Sequence, residues 1–349
     1  MTISIKGRAT SFDIAYHAGV SQSTVSRALR DSKLVSDDTR HKIQAIAKEL
    51  NYKVDKNASN LRRQHSVTLA LLLFEDPTSD DSQINPFFMS MLGSITRACV
   101  RQGYDLLISF QQSSHDWHAD YQDSHKADGL ILLGYGDYLV SCSKLQKLVE
   151  QGTHFVRWGP VLPGQPDISI GCDNVQGGRV MTEHLLALGR RRIAFVGDVS
   201  AHCPEFSDRY LGHCRALHAA GIEVNTELQI DAADSIESMG FDAMRALLAR
   251  QVPFDAVFAA SDLLAIGAMR ALAEAGMRVP EQVSVAGFDD LPMASFANPP
   301  LTTVIQDTKR AGEMLVDSVL GQIRGEPATS VMLPAQLVIR RSCGAPRVP

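Results

Sequence analysis

Four polar residues, Gln22, Ser23, Ser26 and Arg27, fall together in a short stretch of otherwise apolar helical spacing. Their chemistry suits a nucleic acid. A carboxamide pairs with adenine and a guanidinium with guanine, each through two hydrogen bonds. The flanking sequence shows how they would be held. Val25, Ala28 and Leu29 recur at helical spacing, so the polar set is the outer face of a helix that Ser21 can cap. A preceding helix follows from Phe12, Ile14, Ala15 and Ala18 as its apolar face, with Thr10 or Ser11 as its cap. Gly19 ends that helix and Val20 points inward. Two helices joined by a tight turn make a helix-turn-helix, which offers its second helix to a DNA major groove. A third helix runs from Ser36 to Tyr52, with Asp37 and Asp38 in its first turn and Ile43, Ile46, Ala47 and Leu50 on one face.

A helix pair with a glycine turn also occurs in plain helical packing, so charge carries weight here. Through His65 the chain has 12 Lys and Arg against 6 Asp and Glu, a net of +6. The whole chain is −5, which leaves −11 for the rest. A basic head on an acidic body is the charge footprint of a nucleic-acid reader.

From Val67 the texture changes. VTLALLLF is a continuous apolar run of strand length, as in a parallel sheet covered on both faces. Strands and helices then alternate, with helices over 87–102, 139–150, 177–188, 207–220, 239–250 and 263–275. The strands between them fall at 104–109, 129–133, 154–157, 168–171, 193–196, 228–230, 256–259 and 283–287. A tail helix over 307–325 and a tail strand over 332–340 return through the body. The pattern predicts two doubly wound α/β lobes, the second opening with the strand at 168–171.

The six cysteines form no C-x-x-C pair, and reduced thiols are expected. His115, His118 and His125 lack metal-ligand spacing, so the stretch reads as a solvated, irregular helix and no metal is expected. No nucleophile elbow, phosphate loop or dinucleotide fingerprint is present, so catalytic residues and cofactors are not expected. No run approaches the ~18 apolar residues of a membrane span, and the N-terminus has no secretory core. A cytoplasmic protein is expected.

The motifs now resemble a family. AGVSQSTVSRAL, VSDDTRHKIQAIAKELNY and Ala58–Arg62 are similar to the head of the LacI/GalR bacterial repressors. Asn85-Pro86-Phe87-Phe88, Asp173-Asn174 with Gly177-Gly178, Ser261-Asp262, Gly287-Phe288-Asp289-Asp290 and Pro300–Val304 continue the resemblance in family order over nearly the whole chain. The resemblance implies that Gln22, Ser23 and Arg27 contact bases. Ser21, Thr24 and Ser26 suit phosphates, although the Thr24 hydroxyl could equally be solvated or self-capping. It further implies a hinge that folds on the operator, with Ala58 and Leu61 at the minor groove and Leu61 as the wedge. Val54 and Ser59 depart from the family, which has Pro and Arg there; a plain linker is the alternative.

The two lobes resemble periplasmic sugar-binding proteins. In open α/β sheets, ligands bind past the carboxyl ends of the strands. Asp76, Phe87, Arg157, Trp158, Arg209, Ser261 and Asp289 all fall there. The resemblance favours Arg209 and Asp289, then Ser261 and Arg157 or Trp158. Guanidinium and carboxylate match vicinal hydroxyls in pairs, and Trp158 or Phe87 would cover the C–H face of a sugar ring. Asp173 and Asp262 read as helix caps, Asp290 as a turn residue, and Trp117 as a loop residue, surface or core.

The expected organisation is an all-α helix-turn-helix head at 1–55 and a hinge at 56–66. Lobe 1 takes 67–170 and 303–328; lobe 2 takes 171–302 and 329–349. The expected function is a DNA-binding regulator, a homodimer on a pseudo-palindromic double-stranded operator, with a small sugar between the lobes controlling operator affinity. The tail has no leucine heptad, so a tetramer is not expected. A purine corepressor is the alternative within this class. A two-lobed binding protein without a regulatory role is the alternative outside it.

Overall fold

The computed structural model describes residues 9–29, 31–52, 65–73, 84–110, 116–134, 138–232 and 236–346. The chain divides between Ser66 and Val67 into two compact units. The expected hinge residues Ala58 and Leu61, and Asp76, lie outside the described residues.

The first unit holds three helices: α1 (Ser11–Ala18), α2 (Gln22–Ala28) and α3 (Asp37–Glu49). Thr10, not Ser11, caps α1. Its hydroxyl accepts from the Asp13 N–H while Asp13 Oδ2 accepts from the Thr10 N–H at 2.8 Å, a reciprocal capping box. Gly19 closes α1 at φ 69°, where a side chain would be strained. Ile14, Ala15, Ala18, Val25, Ala28, Val35, Ile43 and Ala47 form the small core. Phe12 was expected in that core and is 70% exposed. It lies two residues from Ile14, about 200° around the helix at 3.6 residues per turn, and so on the opposite face.

The second unit begins with β1 (Thr68–Leu73), α4 (Pro86–Arg101), β2 (Asp105–Phe110), β3 (Gly129–Leu133), α5 (Tyr138–Glu150), β4 (Phe155–Trp158) and β5 (Ser169–Cys172). A single π-helical turn, His118–Asp123, precedes β3. Next come α6 (Asn174–Ala187), β6 (Ile193–Val196), α7 (Pro204–Ala219), β7 (Gln229–Ile230), α8 (Glu237–Ala249), β8 (Ala256–Ala259), α9 (Asp262–Glu274) and β9 (Ser284–Ala286). The chain closes with α10 (Pro292–Phe296), β10 (Thr303–Ile305), α11 (Thr308–Ile323), β11 (Val331–Leu333) and β12 (Gln336–Val338).

Lobe 1 is a six-stranded parallel sheet in the order β11-β5-β4-β3-β1-β2. Its central strand explains the apolar run. Leu69, Leu71 and Leu73 enter the main core, while Ala70 and Leu72 face a second cluster that includes Trp117 and Phe155. Alternate side chains point to opposite faces, so a strand buried on both must be apolar throughout. Trp117 is thus a core residue. Lobe 2 is a parallel sheet in the order β7-β6-β8-β9, with the antiparallel pair β10-β12 alongside.

Three expectations are corrected. β5 does not open lobe 2; it pairs with β4 as a lobe 1 strand, so lobe 1 extends past residue 170 to Cys172. The expected strand over 332–340 is two strands broken at Pro334-Ala335, β11 in the lobe 1 sheet and β12 beside lobe 2, so 329–349 does not lie wholly in lobe 2. Proline removes the donor that a continuous ladder would need. β10, expected in lobe 1 with 303–328, is tied instead to lobe 2 by the Gly287 N–H to Thr302 O and the Asp289 N–H to Val304 O bonds. The backbone therefore passes between lobes three times: after β5, between β10 and α11, and between β11 and β12.

Lobe 2 helices pack at backbone distance. A Cβ at Gly178 of α6 would stand 2.0 Å from Arg209 O of α7, and one at Gly212 would stand 2.1 Å from Val175 O. Gly240 of α8 meets α9 in the same way, at 2.2 Å from Leu264 O. All six cysteines are free thiols. No helix among the described residues is long and apolar enough to cross a membrane.

Candidate DNA-reading helix and effector cleft

On α2, Ser21 stands at the N-cap and its hydroxyl accepts from the Thr24 N–H at 3.2 Å. Ser23 Oγ and Thr24 Oγ1 each lie 2.8 Å from Ser21 Oγ, so three hydroxyls cluster at the start of the helix. Gln22 is half-buried and its Nε2 donates to Ser11 Oγ at 3.2 Å, which orients the carboxamide from α1. Ser23 and Arg27 are exposed; Thr24 and Ser26 are half-buried. Buried Val25 and Ala28 fix the opposite face of the helix. The arrangement presents polar groups outward from a rigid helix, which is what base reading requires.

In the second unit the sites at the carboxyl ends of the strands are buried and polar. Arg209, on the first half of α7, is fully buried. Its Nε donates to Asn174 Oδ1 at 2.9 Å and its Nη1 donates to Ala260 O. Its guanidinium stacks 3.8 Å from the Phe288 ring and stands 3.7 Å from Asp289 Oδ1. A stacked, ion-paired guanidinium keeps its fork geometry without water. Asp289 accepts from Gln306 Nε2 at 2.7 Å. Burial pushes its carboxyl above the usual range, against the pull of Arg209 and Gln306. Its backbone sits at φ 115° and that of Asp290 at φ 56°, both rare for residues with a side chain. The Asp289 N–H bond to Val304 and a 2.7 Å ion pair from Arg340 to Asp290 hold that turn.

The remaining candidates are placed differently. Ser261 is fully buried and caps α9, its hydroxyl accepting from the Leu264 N–H. Asp262, expected as the cap, is instead a tie between elements: it accepts from the Leu291 N–H at 2.7 Å and from Thr303 Oγ1 at 2.5 Å. Burial, with Asp289 nearby, drives its carboxyl well upward. Asp173 does cap α6. Arg157 is engaged by Asp167 within lobe 1 and also donates to Pro160 O. Phe87 is positioned by Asn85, whose Oδ1 accepts from the Phe87 N–H at 2.9 Å, and its ring lies 5.9 Å from that of Trp158. Both rings are buried.

Four residues of this region were given no site role from sequence: Asn174 and Phe288, which stand only as motif residues, and Glu205 and Gln306. Asn174 and Gln306 each follow a strand and would have met the same positional rule. Glu205, in the first turn of α7, is buried, and burial raises its carboxyl despite Arg209 and Arg157. A Cβ on Gly159 of lobe 1 would stand 2.6 Å from Arg157 Nη1 and 3.7 Å from Glu205 Oε1, so the two lobes approach here.

The model for "Bacterial regulatory proteins, lacI family" matches residues 12–55, and a "Periplasmic binding protein-like domain" matches residues 182–343. The HTH-type transcriptional regulator CelR of Thermobifida fusca is 34% identical over 340 residues, covering 94% of this chain and 96% of the relative. The chain belongs to the LacI family. Its place among DNA-binding transcriptional regulators with a two-lobed, periplasmic-binding-protein-like core follows from both matched regions. Among solved family members, the lac repressor dimer bound to operator and the anti-inducer ONPF superposes with a TM-score of 0.83 at 27% identity, covering 97% of this chain and 100% of the other. A CelR–cellobiose complex superposes with a TM-score of 0.71 at 32% identity, covering 96% and 100%.

Proposed function

We propose that this LacI-family protein is a cytoplasmic, non-catalytic repressor that acts as a homodimer on a pseudo-palindromic operator and answers to a small sugar held between its lobes. Gln22, Ser23 and Arg27 read bases; Ser21, Thr24 and Ser26 hold phosphates. One short helix sees too few base pairs for specificity, so two heads are needed. Ala58 and Leu61 enter the minor groove of the bound operator.

The observation that carries the effector reading is the Arg209–Asp289 pair with Asn174 and Gln306 around it. These groups offer paired donors and acceptors to vicinal hydroxyls, beside apolar rings. Phe87 and Trp158 of lobe 1 supply the aromatic face. Ser261 and Arg157 take supporting parts, since each is already bonded within its own lobe. All these side chains are closed off from solvent, so a ligand enters when the lobes part, and its contacts then favour one lobe angle. Operator and effector affinities are linked reciprocally through that angle. The CelR–cellobiose complex and the operator-bound lac repressor dimer support the reading.

The test is a thermal-shift screen against sugars, sugar phosphates and purines, each hit repeated in an operator titration. A ligand that binds the native state raises its melting temperature. A sugar hit that weakens operator binding is expected. A purine that tightens it would replace induction by corepression.

A further inference from the structure

The strand ends that face the cleft are acidic. The stretches that carry the chain from β5, β6, β8 and β9 into the first turn of the next helix are 173–177, 197–207, 260–265 and 287–295. They hold Asp173, Asp198, Glu205, Asp262, Asp289 and Asp290 and no Lys or Arg. The sequence that follows β1, β3 and β7, at 74–89, 134–141 and 231–240, adds no Lys or Arg either. Three arginines reach this face from elsewhere, and each already meets a carboxylate. Arg209 stands 3.7 Å from Asp289, Arg340 2.7 Å from Asp290, and Arg157 pairs with Asp167.

Most of the acids are tied as well. Asp173 caps α6, and Asp198 accepts from the Ser200 N–H at 2.7 Å. Asp262 accepts from the Leu291 N–H and Thr303 Oγ1, and Asp289 from Gln306 Nε2. Glu205 differs. It is 7% exposed, yet neither Arg157 nor Arg209 forms an ion pair with it. Among the described residues, its own backbone N–H is the one hydrogen-bond donor to its carboxyl. Its Oε1 would stand 3.7 Å from a Cβ on Gly159, so the carboxyl reaches from α7 towards lobe 1.

Burial raises the Glu205 pKa against the pull of both arginines. A place that penalises one carboxylate penalises a phosphate group more, since that group carries about −1.5 to −2 charge at pH 7. Phosphate recognition calls for a guanidinium or ammonium free to pair with it. For Arg209 to serve, it would have to leave Asp289 and strand that buried carboxylate. A sugar hydroxyl needs no counter-charge. Glu205 can accept from it when ionised or donate to it when protonated.

We propose, on the reading that the cleft holds a sugar, that it selects an unphosphorylated sugar and that Glu205 is the residue that turns sugar phosphates away. An unpaired charge set against the wrong ligand gives specificity that attractive contacts alone do not.

Isothermal titration of the full-length protein with matched pairs tests the assignment: ribose and ribose 5-phosphate, glucose and glucose 6-phosphate, cellobiose and cellobiose 6′-phosphate. The neutral member of at least one pair is expected to saturate, with its phosphate roughly a hundredfold weaker or more. Glu205→Gln keeps the shape and removes the charge, so the same phosphate should bind the variant roughly tenfold tighter than it binds wild type. Glu183→Gln, at an exposed carboxylate paired with Arg179 on α6, should leave the discrimination as it was. Thermal melting confirms that both variants fold, and the comparison on wild type stands without them. A phosphate that binds wild type as tightly as its neutral partner, no gain for the phosphate in Glu205→Gln, or an equal gain in Glu183→Gln would each overturn the proposal. Failure of every sugar in both forms would instead remove the sugar reading itself, and the proposal with it.

Discussion

Alanine at Gly178 adds one methyl where α6 and α7 touch. Its Cβ would lie 2.0 Å from Arg209 O, 2.8 Å from Arg209 C and 3.0 Å from Arg209 Cα. Relaxed carbon contacts are about 3.5–4.0 Å, so the helices must part by more than about 1 Å. The obstacle is backbone and no rotamer relieves it. Overpacking of this kind costs about 1–3 kcal/mol, offset by about 0.5–1 kcal/mol for replacing glycine within a helix. The difference is a net loss of about 0–2.5 kcal/mol, which at about 2–4 °C per kcal/mol lowers the melting temperature by up to roughly 10 °C. Gly240→Ala meets Leu264 O at 2.2 Å and should lose a similar amount. Gly93 is an exposed position of α4 with nothing within 4 Å, so Gly93→Ala should gain about 0.5–1 kcal/mol. Only Gly178→Ala displaces the Arg209 backbone, so it alone should weaken the effector, by about tenfold or more, the worth of a charge-assisted hydrogen bond. Differential scanning calorimetry and effector titration read both effects. The reasoning fails if Gly178→Ala melts at or above wild type, or if Gly240→Ala weakens the effector as much.

Three further outcomes are expected. Arg27→Ala should cost about 1–3 kcal/mol on the operator and little on random DNA in gel-shift titrations; equal loss on both would move Arg27 to a phosphate role. Asp289→Asn should abolish effector-driven release in the same assay while operator binding persists, and intact release would remove Asp289 from the site. His213 is held neutral when folded, with its pKa lowered from 6.5 to about 3, and the unfolded chain takes up its proton first. Its contribution is therefore complete above pH 6.5 and drains away as pH falls towards 3. Melting temperatures from pH 7.5 to 4.5 should fall less steeply for His213→Phe than for wild type, and parallel curves would refute that sign.

Much of the fold was legible because burial forces composition. β1 is apolar throughout since both its faces are covered, and Gly19 ends α1 because only a left-handed residue fits. Lobe membership was not legible. β5 and β11 read as ordinary strands, and which sheet receives them is decided by neighbours far away in sequence. In the site, the strand-end rule gathered Arg209 and Asp289 with five other candidates, and the family resemblance singled those two out. Gln306 was missed because β10 is only three residues long, too short to signal a strand ahead of it. Glu205 was missed because its burial comes from the other lobe's approach. Ser261 and Asp262 exchanged parts, since either side chain can cap and only the geometry tells which hydroxyl or carboxylate meets the Leu264 N–H.

The three passages between the lobes also set an order of assembly on the ribosome. β5 leaves the exit tunnel with the rest of the early strands, but β11, which completes that sheet's edge, and α11, which packs on α4, emerge only after all of β6 to β10. β12, the partner of β10, comes later still. A nascent chain stalled before residue 308 thus has every strand of the β7-β6-β8-β9 sheet but lacks β11 of the lobe 1 sheet and β12 of the β10-β12 pair. The basic head, local in sequence, is complete long before. During synthesis the protein therefore spends an interval able to fold its DNA reader but unable to build its sensor, and quality control of unfinished chains matters more here than for a regulator whose sensing domain is contiguous.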